Sequence, residues 1–189
     1  MYTNLFKIEF KMHPIFTEYA CNCFTGDIYS LKFNKVKLIK QNLNDRGYLV
    51  FGIWQDGKYK NYKSHRFIWE CHYNEILDEN IDVDHVDRNK LNNSIDNLRK
   101  VNRTTNILNR FNNEEVNELP EDKIDVIKYN DHYFENIWFS PSTNCLYKIS
   151  DGYIFRIPFK SQGRIQIYDN NKQLTCFCLN KLRKILGYD

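Results

Sequence analysis

Nearly every apolar run in this chain is short, rich in β-branched or aromatic residues, and closed by a turn signal. That pattern constrains the fold more than any other feature. IFTEYAC, DIYSLKF, VKLI, GYLVFGIW and KYKNYK fill residues 15–63, with TGD, NLNDRG and QDGK between them. Such runs between Gly-, Asn- and Asp-rich turns read as a β-meander. The spacing then turns helical in SHRFIWECHYNEIL, where Phe67, Ile68, Cys71 and Ile76 share a face and Ser64 is the expected N-cap. IDVDHV and NLRKV read as short strands around the polar loop DRNKLNNSID, and NRTTNILNRF opens a helix capped by Asn102 or Thr104. A second meander over 126–178 ends in a closing helix, LNKLRKILGY. The expected fold class is α+β, in three parts: an N-terminal meander and core (1–110), an acidic linker (111–125) and a β-rich C-terminal domain (126–189). Strand, turn and closing helix recur in the same order in both meanders, which invites comparison as a degenerate repeat.

Hydrophobic residues make up 42% and aromatics 15% of the 189 residues, enough for a packed core and against global disorder. No apolar run approaches the roughly 20 residues that span a bilayer. The start, MYTNLFKIEFKMH, carries charges in its apolar stretch and does not read as a signal peptide. No membrane partner and an intracellular location are expected, in the cytoplasm or nucleus of a host cell. Cys21, Cys23, Cys71, Cys145, Cys176 and Cys178 include two C-x-C pairs, whereas zinc knuckles use C-x₂₋₄-C, so free thiols are expected. Ala20 is the single alanine, while Asn, Lys, Ile, Tyr and Phe are abundant. These are residues with A/T-rich codons, and they point to an AT-rich phage, virus or organelle as the source.

Net charge is only +3, but its distribution is uneven. Residues 32–66 hold nine basic side chains against Asp45 and Asp56, interleaved with aromatics, and residues 114–125 hold six acids against Lys123. Lys35, Lys37, Arg46, Lys58, Lys60, Lys63 and Arg66, with Arg99 further on, are the expected phosphate contacts. The bland alternative is a solvated sheet whose lysines protect its edges.

VDHVDRNKLNNSIDNLRKVNRTTN (83–106) is the segment able to carry chemistry. Phosphodiester hydrolysis needs an activated water, a cation by the scissile phosphate and help for the leaving oxygen. His85 is the natural general base. Asp84, next to it in a strand, points to the opposite side and can bind a metal. H-R-F-I at 65–68, D-V-D-H-V-D at 82–87, N-N at 92–93, N-L-R at 97–99 and Asn106 together resemble the HNH endonuclease family, in its Asn-rich phage and intron-encoded homing type. The G-D-I-Y-S and R-G-Y-L-V pieces resemble the modular DNA-binding segment that often precedes such sites, and the likeness covers about residues 16–110.

The resemblance implies a ββα-metal core in which His85 is the base and Asp84 a metal ligand. It also implies that Asn97 orients the histidine and that Asn106 is the second ligand. With Asn instead of His at the last position, the donors are hard oxygens, suited to one Mg²⁺ or Mn²⁺ per site rather than Zn²⁺. Asn102 and Asn109 fall near the same helix face as Asn106. His65 either contacts DNA or pins the helix to the meander. The implied function is metal-dependent cleavage of double-stranded DNA, leaving 5′-phosphate and 3′-hydroxyl ends, by a monomer that nicks or a homodimer that cuts both strands. The alternatives are a catalytically silent DNA-binding protein on the same fold and a less specific restriction or degradative nuclease.

Overall fold

The computed structural model describes residues 10–55, 57–111 and 113–188. The stretch read as lacking a signal peptide lies outside them through residue 9, as does Asp56 of the charge count. The chain divides into two compact units, Met1–Asn106 and Ile107–Asp189.

In the first unit, β1 (Phe10–Met12), β2 (Tyr19–Asn22), β3 (Ile28–Ser30) and β4 (Lys37–Leu38) pair antiparallel in chain order. A second sheet joins β5 (Asn42–Leu43), β6 (Leu49–Gln55) and β7 (Lys58–Lys63). Helix α1 (Ser64–Tyr73) follows β7 without a break. Its Phe67, Ile68 and Cys71 are buried with Phe51 and Ile53 of β6 and Ile28 of β3 in one core. The Phe51 and Phe67 rings meet edge to face at 5.0 Å. Strands β8 (Ile81–His85) and β9 (Leu98–Asn102) then form a hairpin, followed by α2 (Arg103–Arg110). Asn102 caps α2 by accepting the Thr105 amide at 2.9 Å.

Two helix-end expectations change. Ser64 is the first helical residue rather than the cap, and no side chain caps the helix there. The helix also stops at Tyr73, because Asn74 turns left-handed (φ 50°, ψ 42°). Ile76, expected on its apolar face, is exposed instead.

In the second unit, β10 (Glu114–Val116), β11 (Ile124–Asp125), β12 (Lys128–Tyr129) and β13 (His132–Tyr133) precede a longer meander. That meander comprises β14 (Ile137–Ser140), β15 (Cys145–Ser150), β16 (Tyr153–Pro158), β17 (Arg164–Tyr168) and β18 (Leu174–Cys178), before α3 (Leu179–Ile185). One sheet has the order β10-β16-β15-β14-β11; β12–β13 and β17–β18 are separate ladders. The segment expected to be a linker therefore supplies both edge strands of that sheet, where its acidic side chains face water. The two compact units also meet at Asn106/Ile107, four residues earlier than the expected boundary at 110. The second core gathers Phe139, Leu146, Phe155, Phe177 and Leu182. Among the described residues, no helix is long and apolar enough to cross a membrane.

The cysteines are free thiols: Cys21 and Cys23 are buried with their sulfurs 3.7 Å apart, and Cys71 and Cys145 are also buried. Cys176 is exposed and Cys178 half-buried, because Thr175 and Phe177 take the inner face of β18.

Candidate functional site

Strand alternation sends Asp82 and Asp84 to one side of β8 and His85 to the other. All three stand opposite β9, with Asp84 across from Arg99 and His85 across from Leu98. His85 is nearly fully buried, and its Nε2 lies 2.9 Å from Asn93 Oδ1.

Asn97, expected to orient the histidine, makes its side-chain hydrogen bonds within the loop that follows His85. Its Oδ1 accepts the Asp87 amide (2.9 Å), and its Nδ2 donates to Asp87 Oδ1 and the Asn92 carbonyl, both at 2.8 Å. Its carbonyl also accepts the Val86 amide at 2.9 Å. Asn97 thus ties the two ends of the 86–97 loop together, and Asn93, inside that loop, reaches the histidine. Asp87 is the hub of the loop. Burial pushes its carboxyl up, but hydrogen bonds from Asn92, the Asn89 amide and Asn97, with the charge of His85, hold it below its usual range.

The loop is seated on the first sheet. The Ile95 amide donates to the Cys23 carbonyl at 2.8 Å. Gly26, at φ +77°, lets Asn93 approach so closely that a Cβ on the glycine would lie 3.3 Å from Asn93 Cβ.

On the other face, the Arg99 Nε lies 3.2 Å from Asp84 Oδ2, both side chains about nine-tenths buried. Asn106, half-buried on α2, donates its Nδ2 to Asp82 Oδ2 at 2.8 Å, which leaves its Oδ1 as an acceptor. The donors gathered here are therefore oxygens: the Asp84 carboxylate, the Asn106 amide and the neighbouring Asp82. Such a set fits a hard divalent cation completed by water or phosphate. Among the described residues, no three His, Cys, Asp or Glu side chains form a closed metal cluster.

His65 packs beside the catalytic candidate. Its ring centroid is 5.1 Å from those of His85 and Tyr48. Burial, then the charges of His85, Lys63 and Arg66, push it down to about 3, so it is neutral near pH 7. Its Nδ1 is buried without a hydrogen-bond partner among the described residues. A neutral, buried ring has no charge to offer a phosphate, so of its two expected roles the packing one fits. Tyr48 is half-buried, with Lys63 Nζ 6.0 Å and Lys90 Nζ 4.7 Å from its ring.

The expected phosphate contacts separate into two groups. Lys35, Lys37, Arg46, Lys58, Lys60 and Lys63 are all exposed. Arg66 is committed internally: it pairs with Glu70 at 3.1 Å and donates to the carbonyls of Leu77, Asp78 and Ile81. Arg99 is buried against Asp84. Arg66 is half-buried and Arg99 buried, each held by these internal partners. Sequence reasoning missed Asn93, whose only signal was the Asn92–Asn93 pair, and Lys90, which sits in the same loop.

Residues 62–107 match the HNH endonuclease model. The chain is 35% identical over 104 residues to DNA endonuclease I-HmuI of Bacillus phage SP01, covering 55% of this chain and 58% of that protein. It is 37% identical over 95 residues to the H-N-H endonuclease F-TflII of Escherichia phage T5, covering 49% and 47%. The chain thus spans about half the length of the curated relatives it matches. Superposed on the solved structure described as DNA binding and cleavage by the HNH homing endonuclease I-HmuI, it gives a TM-score of 0.46 at 23% identity, over 95% of this chain and 83% of that one.

Proposed function

We propose that this protein, whose residues 62–107 match the HNH endonuclease model, hydrolyses phosphodiester bonds in duplex DNA with a divalent metal. The observation that carries this reading is the β8–β9–α2 unit, which holds His85 against Asn93 on one face and Asp84, Asp82 and Asn106 on the other.

His85 is the general base, taking a proton from the attacking water through its imidazole. Asn93 fixes the ring, and the Asn97–Asp87 loop ties fix Asn93. Asp84 and Asn106 would hold the cation, Mg²⁺ or Mn²⁺, one per site, with Asp82 orienting the Asn106 amide. When bound, the metal supplies charge stabilisation for the phosphate and the departing 3′ oxygen. Arg99 neutralises Asp84 in the meantime. Lys63 and Lys90, on either side of Tyr48, grip phosphates at the entrance, and Lys35, Lys37, Arg46, Lys58 and Lys60 extend that grip. The β-rich second unit adds DNA contacts without a second catalytic cluster.

Incubating supercoiled plasmid with the protein and Mg²⁺, with EDTA as control, tests this. Open circles are the expected product of a monomer, and linear DNA that of a dimer. His85→Ala should lose cleavage while keeping DNA affinity in a gel-shift assay, because binding comes from phosphate contacts elsewhere. Binding without cleavage by the parent protein would make it a catalytically silent DNA-binding protein, and parallel loss of binding in His85→Ala would make His85 structural.

A further inference from the structure

Phe33 is 91% exposed and sits at φ 59°, ψ 33°. A lone exposed apolar side chain is ordinary. A phenylalanine in the left-handed region is not, because its Cβ crowds the backbone there. Folding therefore keeps this ring in water on a strained backbone, when glycine or asparagine would sit there at less cost.

The turn that carries it, Lys32–Asn34 between β3 and β4, is fastened rather than loose. Lys32 Nζ donates to the Trp54 carbonyl (3.3 Å), pairs with Glu18 (3.3 Å) and lies 5.2 Å from the centre of the Tyr19 ring. The Leu31 amide donates to the Glu18 carbonyl at 2.7 Å, and the Lys35 amide to the Lys32 carbonyl at 3.1 Å. The strand that Lys32 grips, β6, presents the exposed Trp54, whose ring lies 5.5 Å from that of the exposed Tyr59 on β7. Exposed Lys35 and Lys37 follow Phe33 directly in the chain. A rigid, protruding apolar ring next to cations suits a stack of flat bases bordered by phosphates.

We propose that Phe33 is a wedge that inserts between neighbouring base pairs of duplex DNA while Lys35 and Lys37 hold the flanking phosphates. The inference rests on the DNA-cleaving reading above and adds to it a deformation of the substrate. Inserting a ring opens a base step and locally unwinds the helix. Sequence steps that unstack easily would then be preferred without any base-edge contact.

Unwinding can be read without cleavage. Closed circular plasmid is relaxed by a metal-independent type I topoisomerase in EDTA, with the full-length protein present, and its linking number is measured after the protein is removed. Gel shifts on the same plasmid over a salt series set equal occupancy for each variant. The parent protein should lower the linking number in proportion to occupancy. Phe33→Ala should bind roughly tenfold more weakly, the worth of about one aromatic–base stack, and should leave the linking number unchanged at equal occupancy. Phe33→Trp should retain the unwinding. Phe33→Gly should also lose it while raising the melting temperature, since glycine relieves the left-handed strain, and so separates a wedge from a folding role. Equal unwinding by the parent and Phe33→Ala overturns the wedge alone. Absence of salt-dependent binding by the parent would remove the DNA reading and the wedge with it.

Discussion

Gly26 is far from His85 in the chain yet sets its position through Asn93. Any side chain at Gly26 would be strained at φ +77° and would press on Asn93 Cβ from 3.3 Å. Gly26→Ala should cost about 1 kcal/mol of stability and slow nicking by roughly ten- to a hundredfold, as a displaced catalytic group does. DNA affinity should hold. A lowered melting temperature with an unchanged nicking rate would show that Gly26 only shapes its turn. That Asp84 and His85 lie in a strand and Asn106 on the following helix was legible in the sequence from periodicity and spacing. Asn93 was not, because the 86–97 loop offers several amides and no period to say which one turns inward. The internal partners of Arg66 and Arg99 were not legible for a related reason: a guanidinium suits a phosphate, a carboxylate or a row of carbonyls equally well, and only the fold shows which of its own groups it meets.

Helix α1 is fastened by one buried carboxylate. Glu70 Oε2 lies 3.1 Å from His13 Nε2 and accepts the Tyr62 hydroxyl at 2.5 Å. Its Oε1 accepts Arg66 Nε at 3.1 Å and the Leu77 amide at 3.2 Å. Burial pushes Glu70 up, but bonds from His13, Tyr62 and Leu77, with the Arg66 charge, hold it below its ordinary value of 4.5. A depressed carboxylate contributes stability above its unfolded value, lost as pH falls through the folded one. Glu70→Gln should therefore cost about 3 kcal/mol at neutral pH, and the gap from the parent should close as the pH drops below about 4. A gap constant with pH, measured by urea titrations, would mean that Glu70 acts by shape alone. At this scale the core elements were readable, since Phe67, Ile68 and Cys71 fall at helical spacing and apolar and polar residues alternate in β8. The edge strands β10 and β11 were not readable. Each is two or three residues long, and an acidic run looks the same in an open linker as on the exposed rim of a sheet.

At the scale of the whole molecule, the buried apolar side chains of the described residues form two cores, one from residues 19–98 and the other from 108–182. Two cores on one chain should give two melting transitions rather than one. Phe67→Ala should lower one transition and Phe177→Ala the other, each by about 3–5 kcal/mol in stability. A single calorimetric peak moved equally by both substitutions would refute that independence. The loop around His85 carries a further consequence. Its side-chain amides hold it together: Asn92 and Asn97 donate to the Asp87 carboxylate, and Asn93 meets His85. Asparagine amides are thermolabile groups, and their hydrolysis leaves a carboxylate. At Asn93 that change would put a full negative charge against the buried His85 while leaving both cores untouched. On the proposed reading, loss of cleavage during warm storage should then track hydrolysis of these amides in molecules that are still folded, which mass spectrometry of stored samples checks.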